Sequence, residues 1–266
     1  MKKAIFLAHV KDAARQRGGE LKEYLRLTRE LGYEGLECDY VDLEQDPEGF
    51  AAMLAAADLQ IASIPYYCEF EKCVDPAKIR AAVEKMAAAG GKKILAIPGF
   101  LGDRYPDAMG DMVEGLQILC REAMKFGIQV SLEDFDNIQS PCATAEGLAW
   151  FFEKVPELGF NLDTGNFLYV EQDVVEITRR FADRITHIHL KDRTGKPVYE
   201  GQQPHYSIAG RPMYSCPVGQ GDIPVKELLA LAAAAGYDGF CSAEHYGVDD
   251  QWDFTVRSAQ WLNENM

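Results

Sequence analysis

Short apolar runs of strand-forming residues recur along the whole chain. Runs of this length, bounded by turn-forming residues, are typical of strands buried in a parallel sheet. Between most of them, apolar residues recur every three or four positions, which predicts helices. The eight predicted strands cover residues 3–8, 33–38, 58–65, 92–98, 128–134, 158–163, 185–191 and 239–245.

Several of the predicted helices carry recognisable end signals. The leucine-rich segment 19–32 ends at Gly32, as expected of a residue that follows the last helical turn. In segment 75–90, Asp75 is an N-cap candidate, Pro76 suits the first helical position and Gly90 suits the end. Segments 108–127 and 225–239 repeat this plan. The chain therefore alternates strands with helices.

The strands follow one another at intervals of about 30 residues, which is the size of a βα unit. Eight such units predict an α/β fold with a single (β/α)₈ TIM barrel over residues 1–266. The alternative is an open doubly wound sheet, which usually has a glycine-rich phosphate loop after its first strand. The segment that follows the first strand here, HVKDAARQRGG, is no such loop.

One connection, residues 192–224, is far longer than the others. It is rich in Gly, Pro and Tyr and has no clear periodicity. Loops of this length inside a compact domain are usually functional or disordered. It follows the seventh strand and so belongs to the face on which barrel active sites lie. We therefore predict that it is a lid.

The composition narrows the classes of partner and the compartment. Hydrophobic residues make up 47% of the chain, and the formal net charge is −15, which disfavours nucleic-acid and anionic-membrane binding. The seven cysteines form no CxxC pair, which indicates reduced thiols and a cytoplasmic location. The apolar run at the N-terminus is too short for a signal sequence, and no run reaches the ~20 residues of a membrane span.

Four strand ends carry residues that bind metals well. Glu133, Asp163 and Glu244 end strands five, six and eight, and His189 lies on strand seven. Each of them alone has an ordinary interpretation, as a helix cap, a solvated loop residue or a core histidine. Together, three carboxylates and an imidazole form an oxygen and nitrogen site for Mn²⁺, Mg²⁺ or Co²⁺, with Zn²⁺ also compatible. His187 shares a strand face with His189 because side chains alternate.

The motifs SLEDFDN, NLDTGNF, HIHLKDR, CPVGQGDI and GFCSAEH resemble those of the xylose-isomerase-like TIM-barrel superfamily. The resemblance spans the whole chain. This superfamily includes sugar and sugar-phosphate isomerases and epimerases. The resemblance implies one divalent metal ion, most often Mn²⁺, held by Glu133, Asp163, His189 and Glu244.

The same resemblance implies a reaction on a small sugar or keto-sugar. Proton transfer alpha to a carbonyl would pass through a cis-enediolate, with Glu133 and Glu244 as the acid–base pair. This predicts an isomerase or epimerase. A metal-dependent lyase that dehydrates an inosose or cleaves a C-glycoside of a keto-sugar would use the same site and is the alternative. A non-catalytic subunit that binds metal or sugar is a third interpretation.

Candidate substrate-binding residues are His187, Asn166, Arg193, Glu37 and, in the long loop, Arg211. Many relatives have a histidine where this chain has Asn166. A phosphate group on the substrate would need the segment PGFLGDR or Arg211. The superfamily also contains zinc-dependent DNA-repair endonucleases, but the acidic charge and the missing histidines argue against nucleic-acid substrates. Many barrel enzymes of this group form homo-oligomers, and no sequence feature here specifies an interface.

Overall fold

Eight parallel strands close into a barrel in the computed structural model, which describes residues 1–102 and 107–266. Around the barrel β1 to β7 follow one another in order, and β11 lies between β7 and β1. This confirms the predicted (β/α)₈ fold. The barrel strands are β1 (Lys2–Phe6), β2 (Gly35–Glu37), β3 (Gln60–Tyr67), β4 (Lys93–Ile97), β5 (Gln129–Leu132), β6 (Gly159–Asp163), β7 (Ile185–Lys191) and β11 (Phe240–Glu244).

Helices follow the strands along the chain. The α-helices are α1 (Leu7–Arg17), α2 (Leu21–Glu30), α3 (Tyr40–Leu43), α4 (Pro47–Ala55), α5 (Pro76–Ala88), α6 (Met109–Met124), α7 (Ala145–Lys154), α8 (Val174–Phe181), α9 (Val225–Ala234) and α10 (Gln251–Asn265). Two short 3₁₀ helices cover Asn166–Leu168 and Ala182–Arg184. None of the helices in the described ranges is long and apolar enough to cross a membrane.

Three predicted helix ends are confirmed, at Gly32, Asp75 and Gly90. The side chain of Asp75 accepts hydrogen bonds from the backbone N–H groups of Ala77 and Lys78, at 2.9 and 3.2 Å. Gly32 and Gly90 have φ angles of 97° and 83°, in the left-handed region that glycine adopts without strain.

The sequence pattern does not predict helix α1, because the first strand is predicted to extend to residue 8. The structure ends β1 at Phe6 and begins α1 at Leu7. Leu7, Val10 and Ala14 are buried at three- and four-residue spacing, which is a helical pattern. The apolar run continues across this boundary without a polar break, so periodicity could not separate the two elements.

Strand β7 has an apolar side and a polar side. On β7, Ile188 and Leu190 belong to the apolar core that fills the space between barrel and helices. The alternate residues His187, His189 and Lys191 are also buried, but they make polar contacts. The period-two pattern of this strand therefore leads directly to the candidate site.

Candidate functional site

A cavity of about 320 Å³ opens at the carboxyl ends of the barrel strands. Sites in barrel enzymes lie at this face. Its apolar lining consists of Phe6, Pro65, Tyr67, Leu95, Ile97, Phe135 and Tyr246. Its polar lining consists of Asp39, Glu133, Asp136, Asn166, His189, Lys191, Arg193 and Glu244.

The three predicted carboxylate ligands converge on the Nδ1 atom of His189, the fourth predicted ligand. Glu133 Oε2 lies 2.8 Å from this nitrogen, Glu244 Oε2 lies 3.1 Å away and Asp163 Oδ2 lies 3.9 Å away. The ligand atoms of Glu133, Asp163 and His189 all lie within 4.8 Å of one another. Strand order explains this convergence, since β5, β6, β7 and β11 are consecutive neighbours in the barrel.

Local hydrogen bonds orient two of the carboxylates. Asp163 Oδ1 accepts from the backbone N–H groups of Gly165 and Asn166, at 2.7 and 2.8 Å, so the turn after β6 holds this side chain. Glu133 Oε2 accepts from the side-chain amide of the buried Asn161 on β6, at 2.9 Å. Asn161 was not among the predicted site residues. It lies two positions before Asp163, on the same strand face, and that spacing was the available signal.

The crowding of charges shifts the pKa values of the carboxylates in opposite directions. Burial, together with repulsion from Glu244 and Glu133, raises the pKa of Asp163 to about 7. Burial and the nearby Glu244 likewise raise the pKa of Glu133. Burial would also raise the pKa of Glu244, but the Lys191 ammonium and His189 outweigh it and hold that pKa well below its usual range.

Glu37 and His187 lie in a fully buried layer beneath the cavity. Glu37 Oε1 lies 2.9 Å from His189 Nε2, and Glu37 Oε2 lies 2.9 Å from His187 Nε2. Ser242 Oγ also lies 2.9 Å from His187 Nε2. The structure therefore does not bring Glu37 and His187 to the cavity as the predicted substrate contacts, because both point into the barrel interior. They support His189 from below instead.

The same layer explains the charge state of His189. Burial would lower the pKa of this imidazole, but the carboxylates of Glu37 and Glu133 outweigh burial and raise it well above the usual value. A cation bound at Nδ1 would replace the proton there, while Nε2–H would still donate to Glu37.

Lys191 is a site residue that was not predicted from the sequence. Its ammonium lies 2.7 Å from Glu244 Oε1 and 3.2 Å from Asp163 Oδ2, and it donates to Asn166 Oδ1 at 2.7 Å. Burial would lower the pKa of Lys191, but Asp163 and Glu244 raise it well above its usual value. The signal was available in ITHIHLK, since Lys191 shares the face of the two histidines.

Arg193 and Asn166 both line the cavity, as their predicted role requires. The guanidinium of Arg193 donates to Ser215 Oγ at 3.0 Å and to Asp136 Oδ2 at 3.2 Å. Its Nε is buried and has no hydrogen-bond partner among the residues described. Asn166 uses both ends of its amide, because its nitrogen also donates to the carbonyl oxygen of Asp134 at 2.8 Å.

The long connection 192–224 contains a small antiparallel sheet of β8 (Arg193–Thr194), β9 (His205–Tyr206) and β10 (Pro212–Ser215), in the order β8-β10-β9. Asp192, at the start of this segment, binds the backbone near its end. Its carboxylate accepts from the N–H groups of Gly219 at 2.8 Å and Gly221 at 2.9 Å. The motif CPVGQGDI is thus an anchor in the fold, and the lid function stays a prediction.

The structure does not bring Arg211 to the cavity. Arg211 is exposed, pairs with Glu171 and lines a second cavity of about 590 Å³. The turn between β9 and β10 directs it there. Residues 103 and 104, the end of the PGFLGDR segment, lie outside the described residues.

The residues that converge on His189 fit a divalent cation. Asp163 Oδ2 is buried and accepts no hydrogen bond from a described residue, although the Lys191 ammonium lies 3.2 Å away as an ion-pair partner. His189 Nδ1 lies close to two carboxylate oxygens but forms a well-aligned hydrogen bond with no described residue. Buried polar atoms are normally satisfied, so unsatisfied atoms that face one another mark a place where a ligand is expected. Carboxylate oxygens with one imidazole suit Mn²⁺ or Mg²⁺.

Comparisons with known proteins agree with this architecture. Residues 25–265 match the family model of the xylose isomerase-like TIM barrel. An inosose dehydratase from Lacticaseibacillus casei is 31% identical over 172 residues, which are 62% of this chain and 51% of that protein. The chain thus spans about half the length of this curated relative.

Two solved structures share the fold. One is a xylose isomerase-like TIM barrel protein from Mycobacterium smegmatis in complex with magnesium, with a TM-score of 0.72 and 18% identity. The alignment covers 99% of this chain and 95% of that protein's chain. D-Allulose 3-epimerase from Methylomonas sp., in complex with D-allulose, has a TM-score of 0.73 at 16% identity, with 100% and 97% covered. With the match of the family model over most of its length, the chain belongs to the xylose isomerase-like TIM barrel family.

Proposed function

We propose that this protein is a divalent-metal-dependent enzyme that transfers a proton alpha to the carbonyl of a small sugar or keto-sugar. The observation that carries the proposal is the approach of Glu133 and Glu244 to the same nitrogen of His189. Glu133 directly follows β5 and Glu244 ends β11, and β6 and β7 separate these two strands in the barrel. Two carboxylates on different sides of one site can remove a proton from a substrate and return it.

Glu133, Asp163, His189 and Glu244 would hold the cation, with Mn²⁺ as the first candidate for this set of ligands. When bound, a divalent cation would polarise the substrate carbonyl and favour the negative charge of the enediolate. Asp163 suits a purely structural role in this set, because the turn after β6 occupies its other oxygen.

Glu133 suits the role of general base. Burial and Glu244 raise its pKa above the usual value of a glutamate, which makes its carboxylate a stronger base. Asn161 fixes one of its oxygens, so the other oxygen is the one that can reach a substrate. Glu244 would be the second member of the acid–base pair on the other side of the site, and the pair would move the proton at C3 in an epimerase or between C1 and C2 in an isomerase.

The cavity lining is consistent with a small polyhydroxylated substrate. A volume of about 320 Å³ lies at the lower end of the usual range for small-molecule sites. Arg193 and Asn166 supply polar groups at its edge, and Tyr67, Phe135 and Tyr246 supply apolar walls. Substrate hydroxyl groups could accept hydrogen bonds from the guanidinium of Arg193, whose Nε has no partner among the described residues.

A lyase is the second candidate, and two observations favour it. The curated relative with 31% identity is an inosose dehydratase. In addition, Lys191 provides a buried ammonium beside Glu244, where it could assist the departure of a substrate hydroxyl group. Dehydration begins with the same removal of an alpha proton, so the two candidates differ only in the fate of the enediolate.

The variants Glu133→Gln and Glu244→Gln test the acid–base assignment. Each substitution keeps the shape of the side chain and removes the base, so alpha-proton exchange in D₂O should fall by about 10²–10⁴-fold at saturating Mn²⁺. Glu122→Gln, on α6 and paired with Lys125, is the matched control and should exchange at the wild-type rate. Near-normal exchange in both site variants would remove the proposed acid–base role of the two glutamates.

A further inference from the structure

Lys191 lies within the cluster of candidate metal ligands. Among the described residues it is the one cationic side chain of this cluster other than an imidazole. It lies on the barrel-interior face of β7 and is 8% exposed. A lysine buried to this degree is normally paired, and here its partners are two of the predicted metal ligands.

Three oxygens surround the ammonium. Glu244 Oε1 and Asp163 Oδ2 lie 2.7 and 3.2 Å from Nζ, and Asn166 Oδ1 accepts its hydrogen bond at 2.7 Å. Asn166 is itself fixed through the carbonyl oxygen of Asp134. The ammonium is therefore held at the carboxylate cluster from the side of the cavity.

Lys191 offsets part of the negative charge of the three predicted carboxylate ligands. Glu133, Asp163 and Glu244 carry three negative charges when ionised. A divalent cation would leave one of them uncompensated, and the ammonium supplies the remaining positive charge. Buried charges are costly unless they are paired, and here the ammonium pairs with two carboxylates that a divalent cation would also use.

We propose that Lys191 is a resident counter-cation, which competes with the divalent metal ion for Asp163 and Glu244 and which donates to the substrate oxygen that gains negative charge. The second half rests on the function proposed above. The first half does not, because competition between two cations for the same oxygens follows from the distances alone.

Competition and donation predict opposite effects of the same substitution. Removing the ammonium takes away a positive charge close to the bound metal ion, so the metal should bind more tightly. It also takes away a charged donor from the cavity, so a dianion that resembles the enediolate should bind less tightly. A purely structural lysine would weaken both when removed.

The test uses Mn²⁺ as the probe of the metal site. The full-length wild-type protein, Lys191→Met and Lys191→Gln are loaded with Mn²⁺, which a chelator of known affinity then withdraws. We expect both variants to bind Mn²⁺ at least about tenfold more tightly than the wild type. Lys226→Met, which removes an exposed lysine on α9, is the matched control and should leave the affinity unchanged. Equal or weaker Mn²⁺ binding in both Lys191 variants would overturn the competition.

Oxalate, a planar dianion with two adjacent oxygens, probes the donor half at saturating Mn²⁺. We expect each Lys191 variant to bind oxalate at least about tenfold more weakly than the wild type, as loss of a charged hydrogen bond requires. Unchanged oxalate affinity would overturn the donor role. Neither measurement needs a substrate, so failure of the proposed reaction and failure of this inference give separate results.

Discussion

Glu37→Gln is the sharpest test of the layer beneath His189. In the wild type, the two oxygens of Glu37 lie 2.9 Å from His189 Nε2 and 2.9 Å from His187 Nε2. Burial opposes the charge of Glu37, but His189 and His187 hold its pKa well below the usual range, so the carboxylate is ionised. Glutamine has the same shape but only one accepting atom, and its NH₂ group must face one of the two imidazoles.

The size of the effect follows from this exchange. One of two charge-assisted hydrogen bonds is lost, while Ser242 Oγ, 2.9 Å from His187 Nε2, can compensate at His187. The loss therefore falls mainly on the orientation and basicity of His189. Partners of this kind behind a metal-binding histidine typically change metal affinity by about 10–100-fold, or about 1.4–2.8 kcal/mol.

The assay is a Mn²⁺ titration of metal-stripped protein, with ¹⁵N NMR of the histidine rings as a second observable. We expect the Mn²⁺ affinity of Glu37→Gln to fall about 10–100-fold. We also expect the Nε2 proton of His189 to lose its strong hydrogen-bond signature. Glu122→Gln on α6 is the control for removing a carboxylate elsewhere. An affinity of Glu37→Gln within twofold of the wild type, in a protein that unfolds normally, would refute the supporting role.

Two further predictions concern the cavity rim. Burial and the neighbouring Asp42 and Glu37 raise the pKa of Asp39 to about 6, so the folded state keeps a proton that the unfolded state releases near pH 4. Urea unfolding should therefore show that the free energy of unfolding falls as the pH rises from about 4 to about 6. This fall should be less steep in Asp39→Asn than in the wild type, and equal slopes in the two proteins would contradict the prediction. Arg193→Ala should lower kcat/KM by about 10–100-fold, because charged hydrogen bonds to the substrate are lost. Arg211→Ala, which changes an exposed residue, should keep kcat/KM near the wild-type value. Steady-state kinetics that show a larger loss in Arg211→Ala than in Arg193→Ala would contradict this.

The sequence was most informative where chemistry and periodicity coincide. Glu133, Asp163, His189 and Glu244 could be singled out because each is a metal-binding residue type at or near the end of a predicted strand. The structure brings all four together, since strand ends of a closed barrel share one rim. The strands themselves were predicted to within a few residues, because buried parallel strands are nearly uniform apolar runs.

Contacts across the barrel could not be predicted in the same way. Glu37 on β2 reaches His187 and His189 on β7, about 150 positions along the chain, and no local pattern encodes such a pairing. Lys191 looked like part of a charged turn, although its spacing from His189 indicated the interior. Arg211 was assigned by its place in a long loop, and loop direction depends on turns that the sequence pattern does not specify.

The most direct test of the central claim is deuterium exchange in D₂O. Metal-stripped and Mn²⁺-loaded protein would be incubated with pentuloses, hexuloses, their phosphates and inososes, and NMR would follow deuterium entry and the products formed. We predict Mn²⁺-dependent entry at the carbon alpha to the carbonyl, with an epimer or an aldose as product; water loss would identify the lyase. Protein that binds Mn²⁺ but exchanges no alpha proton on any of these substrates would contradict the account.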